Sequence, residues 1–149
     1  MKASEIVRNV VKEKLERNEV VASMTIRLVR GVEIARMAKT AGFDMIYIDL
    51  EHSTLTLEAT GQICQAALSA GIGVHMGFHN HSGYIGGNIW DIAPVIDTLD
   101  PKWAGYYFDV RHAVVEGGDG GWRTAFSLAA PRLPMIALKD FYWEKAAAG

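Results

Sequence analysis

The sequence predicts an α/β fold in which about five parallel strands alternate with helices, as in part of a (β/α) barrel. Three observations lead to that prediction. Short apolar runs alternate with segments of helical period along most of the chain. Helix stops recur between them, at Gly42, Gly71 and Asp100-Pro101. Polar residues then collect where strands end: Asp49-Leu-Glu-His52, His79-Asn-His81, Asp109 and Lys139-Asp140. In parallel α/β folds that strand edge gathers ligands and catalytic groups.

The elements follow in order. Ser4 to Arg17 reads as a helix, with Ser4 able to cap it and Ile6, Val7, Val10, Val11 and Leu15 at helical spacing. Val20 to Leu28 is a short strand. Gly31 opens a second helix with Ile34, Met37, Ala38 and Ala41 on one face. Asp44 to Leu50 is almost continuously apolar, which suits a strand buried on both faces. A third helix spans about Thr56 to Ala70.

Gly73 to Gly83 is the central strand and its end. Alternation puts His75, His79 and His81 on one side and Asn80 on the other. Asn88 then caps a helix whose stripe is Ile92, Val95, Ile96 and Leu99. Trp103 to Asp109 is the fourth strand. Val110 to Gly121 reads as a long loop because it holds Glu116-Gly-Gly-Asp-Gly-Gly121. Trp122 to Ala130 is a short helix, and Met135 to Asp140 the fifth strand. A full barrel needs eight strands, so the expectation is a partial, TIM-barrel-like arc or an open sheet.

At 149 residues the chain reads as one domain, with half its residues hydrophobic and 21% charged. The net charge of −2 offers no basic footprint for nucleic acid. No apolar run approaches a membrane span, and the charged N-terminal stretch lacks a signal core. A soluble cytoplasmic protein with a small-molecule substrate is expected. The one cysteine, Cys64, reads as a buried small hydrophobe. An open arc would leave residues such as Ile46, Ile48, Met76 and Ile136 on exposed apolar surface, which points to a homo-oligomer.

Read from residue chemistry, Asp109, His112, His79 and His81 offer mixed nitrogen and oxygen donors suited to Mn²⁺, Co²⁺, Zn²⁺ or Mg²⁺. The plainer reading makes the histidines hydrogen-bonded loop residues and Asp109 a cap. His52, beside Asp49 and Glu51, could be an acid/base oriented by a carboxylate, or an exposed strand-end histidine. His75, early in its strand, reads as core packing. Lys139 could hold a substrate oxyanion or simply be solvated. The glycine-rich run lacks the lysine and spacing of a phosphate loop. Phe141-Tyr-Trp143 reads as packing for a barrel edge.

Two resemblances add to this. From about residue 9 to 72 the chain resembles the HpcH/HpaI (citrate lyase-like) aldolases. It does so through Val21-Ala-Ser-Met-Thr-Ile-Arg-Leu-Val-Arg30, Ile34-Ala-Arg36, Ala41-Gly-Phe-Asp44 and Ile48-Asp-Leu-Glu-His52. That resemblance implies His52 as catalytic acid/base. The family's further arginine and metal-binding carboxylates have no match.

From about residue 73 to 145 the chain resembles the sugar phosphate isomerase/epimerase barrels related to xylose isomerase. The carriers are Phe78-His-Asn-His-Ser-Gly83, Ile89-Trp-Asp91, Leu99-Asp-Pro101, Phe108-Asp-Val-Arg-His112 and Leu138-Lys-Asp140. The Asp-x-x-His pair of that family implies a divalent-metal site at Asp109 and His112. Ala137 stands where the family often has a histidine, and the family's last metal-binding glutamate would lie beyond residue 149. The change near residues 71–73 reads as the start of one barrel joined to the end of another, a fusion or chimera of an aldolase-like half (1–72) and an isomerase-like half (73–149).

The expected function is a metal-dependent isomerase or epimerase acting on a sugar or hydroxy-keto compound. His79, Asp109 and His112 would hold the metal. Asn80, Arg111 and Lys139 would bind substrate, with Lys139 and His52 in catalytic roles. The alternatives are a carbon–carbon lyase of the aldolase type and a non-catalytic barrel fragment.

Overall fold

The structure is a computed structural model that describes residues 9–145. The expected cap Ser4 and the first turn with Ile6 and Val7 lie outside the described residues. The chain forms two compact units, residues 1–74 and 75–149, and each is described by itself.

In the first unit, α1 (Val10–Glu16) is capped by the Asn9 side chain, which accepts from the Lys12 N–H at 2.9 Å. Strand β1 (Ser23–Ile26) and strand β2 (Met45–Ile48) pair in parallel, with Ile26 opposite Ile48. Helix α2 (Glu33–Thr40) lies between them in sequence, and α3 (Leu57–Ser69) follows. Thr56 caps α3 by accepting from the Ala59 N–H. Gly42 and Gly71 both take positive φ just past their helices, a conformation with little cost only for glycine. Strand alternation turns Met24, Ile26, Ile46 and Ile48 toward Ile34, Ala35, Ala38, Ile63 and Ala67 of the helices. The opposite face carries Thr25 and Tyr47, and one step on Arg27 and Asp49.

The buried stripe of α2 is Ile34, Ala35 and Ala38. Met37, expected on that stripe, is exposed, because position 35 shares the inner face with 34 and 38. Ile46 and Ile48 likewise belong to the first unit's core rather than to exposed surface. Cys64 is a free thiol of intermediate exposure, and burial pushes its pKa up.

In the second unit, β3 (Met76–His79), β4 (Ala104–Asp109) and β5 (Met135–Ala137) form a parallel sheet in that spatial order. The register sets His79 beside Tyr107 and Asp109 beside Ala137. Phe78, Tyr106 and Phe108 face the helices, packing with Ile89, Ala93, Ile96, Ala125 and Ala129. Fully burying such a side chain contributes about 1.5–3 kcal/mol. His79, Tyr107 and Asp109 therefore share the other face of the sheet.

Two sequence expectations change here. The helix after Asn88 is a 3₁₀ turn (Ile89–Asp91) and a single turn, α4 (Ala93–Ile96). Its buried residues are Ile89, Ala93 and Ile96, while Val95 is exposed. Pro94 lacks an N–H, which is harmless in a first turn but unsuited to the interior of a longer helix. The second change is that the expected 110–121 loop is helical: α5 runs Val110–Ala129, interrupted only at Gly118 (φ 57°, ψ −163°). A 3₁₀ turn, Ala130–Arg132, leads into β5.

The architecture is thus α/β with parallel strands alternating with helices, and neither sheet is closed.

Candidate active site

The second unit's polar cluster is built around Asp109, the last residue of β4 and the N-cap of α5. Its side chain is fully buried. Its Oδ1 accepts the backbone N–H of His112 at 3.1 Å, which starts the helix. Its Oδ2 lies 3.0 Å from His79 Nε2 and 3.9 Å from His112 Nε2, and it pairs with the Lys139 ammonium. Burial alone would raise the Asp109 pKa. The Lys139 pair, the His112 N–H and the His79 hydrogen bond together outweigh it, so the carboxyl is held below its ordinary range.

Each neighbour is placed by an identifiable element. His79 ends β3 and stacks on Tyr107 of β4, ring centroids 4.7 Å apart. Lys139 lies two residues past the end of β5, and its ammonium reaches the Asp109 carboxylate. Its side chain remains 41% exposed, which leaves the ammonium reachable from solvent. His112, on the first turn of α5, is buried. Its Nδ1 accepts from the Ser82 N–H at 3.3 Å, and Ser82 Oγ lies 3.0 Å away. Burial, then the nearby His81, lowers the His112 pKa against the pull of Asp109. His81 packs on His112 with centroids 3.8 Å apart, and its Nδ1 lies 2.8 Å from the Ser82 carbonyl. Glu116 reaches back to accept the Gly83 N–H.

Asn80 is not where a substrate ligand would be. It is 1% exposed and spends its amide on the Asp109 backbone, donating to the carbonyl at 3.0 Å and accepting the N–H at 2.7 Å. It positions Asp109 instead of facing substrate. Arg111 is exposed on the first turn of α5, with no hydrogen bond into the cluster among the described residues. His75 lies just before β3. Its Nε2 is 3.4 Å from the Pro101 carbonyl, and its buried Nδ1 has no hydrogen-bond partner.

The metal expectation meets this geometry directly. The donors are right in kind, two imidazoles and a carboxylate. They are not arranged as a ligand shell: among the described residues no three of His, Cys, Asp or Glu form a group that could hold an ion. Two features explain why. Ala137, the register partner of Asp109, supplies a methyl group where a donor would sit. Lys139 places an ammonium on the Asp109 oxygen that an ion would use. As folded, His79, Asp109 and His112 do not fit a divalent ion.

A second cluster lies in the first unit, at the ends of β1 and β2. Asp49, 4% exposed, accepts the Glu51 and His52 N–H groups at Oδ1, both at 3.0 Å. Its Oδ2 takes Arg27 Nε at 2.8 Å and lies 3.1 Å from His52 Nδ1. Burial opposes ionisation of Asp49, but hydrogen bonds from His52 and then Arg27 hold its carboxyl below the ordinary range. The His52 side chain is 58% exposed, so an oriented imidazole faces solvent. Beyond β1 lies an open cavity of about 510 Å³ lined by Met24, Arg27, Leu28, Val29 and Ile34 among others. Arg27 was not singled out by sequence reasoning. Its signal was the strand alternation that sets it beside Asp49.

Fold and site define a parallel α/β protein with polar clusters at the C-terminal ends of its strands. The chain belongs to the xylose isomerase-like TIM barrel family, whose model matches residues 19–149. That match runs through residues 71–73, where the two sequence resemblances meet. The chain is also similar to two fungal proteins named 4-hydroxy-4-methyl-2-oxoglutarate aldolase. One, of Hapsidospora irregularis, is 41% identical over 64 residues, 43% of this chain and 24% of the relative. The other, of Chaetomium globosum, is 40% identical over 50 residues, 34% of this chain and 19% of the relative. The chain therefore spans about a quarter or less of the curated relatives it matches. No helix among the described residues is long and apolar enough to cross a membrane.

Proposed function

We propose that the chain acts as an isomerase- or epimerase-like domain on a sugar or hydroxy-keto compound, with its chemistry at the Asp109 cluster. The observation that carries this reading is the shared Asp109 Oδ2, which binds His79 and Lys139 together at the end of β4. Moving a proton between adjacent carbons of a hydroxy-ketone needs a base and a positive group for the oxyanion that develops. His79 suits the base, its ring fixed by Asp109 and by stacking on Tyr107. Lys139 suits the oxyanion, being charged, partly exposed and anchored. Family membership supports the reading at the level of fold.

The experiment is a panel of ketoses and hydroxy-keto compounds in deuterated water, followed by NMR. Solvent deuterium should enter at the carbon beside the carbonyl of at least one of them and fall sharply in His79→Asn. No incorporation from any member would overturn the reading.

One observation favours a second reading, an aldolase-type lyase: the oriented His52–Asp49 pair with Arg27 beside it. The activity named for the two aldolase relatives agrees with it. There His52 would move the proton of a 2-oxo acid while Arg27 attracts its carboxylate. Exchange of the pyruvate methyl protons that His52→Ala leaves unchanged would rule this out. A protein silent in both assays is the non-catalytic barrel fragment.

A further inference from the structure

We infer that the Lys139 ammonium is the resident cation of the Asp109 centre, held in the place a divalent ion would take and keeping such ions out. This rests on the reading of that cluster as the functional centre. A carboxylate with no exposure needs a compensating charge. The contacts of Asp109 identify it. Oδ1 accepts a neutral backbone N–H. Oδ2 takes an imidazole nitrogen of His79 and the Lys139 ammonium, the one group of the lysine type in the cluster.

The strand register shows how this arose. Ala137, the last residue of β5, lies beside Asp109 and brings no donor, and Lys139, two residues past the strand end, supplies the ammonium. An ion entering at Oδ2 would meet a like charge already paired with that buried carboxylate. The Nε2 atoms of His79 and His112 lie 3.0 and 3.9 Å from that same oxygen, so the ammonium occupies the oxygen around which the imidazoles gather. The centre is charge-balanced with protein groups alone.

The test compares wild type, Lys139→Met and the double variant Lys139→Met/Asp109→Asn by thermal unfolding with and without Mn²⁺ or Co²⁺. The ions should leave the wild-type midpoint unchanged. Lys139→Met should unfold at a lower temperature and recover part of that loss with Mn²⁺. The double variant should show no recovery. An equal ion-induced shift in wild type, or no recovery in Lys139→Met, would overturn the inference.

A second measurement needs no variant. Mn²⁺ added to wild type should not broaden the His79 and His112 imidazole NMR signals, and selective broadening of that pair would overturn the inference even if the variants fail to fold. Failure of the isomerase reading appears in the deuterium panel and leaves both ion readouts unaffected.

Discussion

Asn80 and the backbone of Asp109 exchange two hydrogen bonds, one in each direction, at 3.0 and 2.7 Å. A side-chain amide here does what a neighbouring strand would do, just where β3 has ended and β4 continues. Both bonds are buried, so losing them leaves a donor and an acceptor without water.

Asn80→Ala should therefore destabilise the second unit by about 2–6 kcal/mol, from two unsatisfied buried groups at about 1–3 kcal/mol each. Asn80→Asp sets a buried carboxylate against the Asp109 carbonyl, so it should be at least as destabilising as Asn80→Ala. Urea unfolding of the three proteins checks the order. Equal midpoints for wild type and Asn80→Ala would show that the clamp contributes nothing.

Acid should weaken this unit in two stages. His112 is held below its ordinary value of 6.5, so the unfolded chain takes up that proton before the folded one does. Stability from neutral His112 is complete above about 6.5 and declines as pH falls toward the lowered folded value. Asp109 is held below its ordinary 3.8, so its contribution is present above that value and is lost as pH falls through the folded one. Unfolding midpoints measured from neutral to acid pH should fall in both windows. His112→Asn should flatten the first window and leave the second. A wild-type slope retained in His112→Asn would assign the first window to another group.

The four glycines between Glu116 and Trp122 make opposite predictions within one helix. Gly118 has φ 57° and ψ −163°, a region open almost only to glycine. Gly118→Ala should cost about 1–3 kcal/mol. Gly121 has open space where a Cβ would go and no positive φ. Gly121→Ala should stabilise by about 0.5–1 kcal/mol through helix propensity. Thermal midpoints of the two variants should move apart, and movement in the same direction would contradict the kinked-helix geometry.

The same segment shows where sequence reading stopped. Glycine density and the run Glu116-Gly-Gly-Asp-Gly-Gly121 argue for a loop when only local propensity is weighed. The Asp109 cap is local, but the helix survives its glycines because His112, Ala113, Ala125 and Ala129 are buried, which is a tertiary effect. The strands were legible, since alternation and polar strand ends are local signals. The pairing of Lys139 with Asp109 was not, because thirty residues separate them and only the register of β4 with β5 brings them together. The Asn80 clamp was hidden for the same reason. Nothing local distinguishes an amide that binds substrate from one that ties down a neighbouring strand.

The remaining prediction concerns self-association. Strand β5 borders its sheet with one neighbour, β4. Around that edge, Leu138 is 86% exposed, Tyr142 80%, Trp143 77% and Ile136 45%. An unpaired strand edge with adjoining large apolar side chains is a template for another chain. A second copy of the same chain presents the same edge at the same concentration, which favours a self-complementary contact. Light scattering at rising concentration should therefore show mass growing beyond the monomer, or precipitation. Leu138→Lys should reduce it by placing a charge on the edge. Trp143→Ser should reduce it by removing apolar area. A monodisperse monomer at high concentration would mean that the edge is protected, and identical scattering of wild type and Leu138→Lys would place the contact elsewhere.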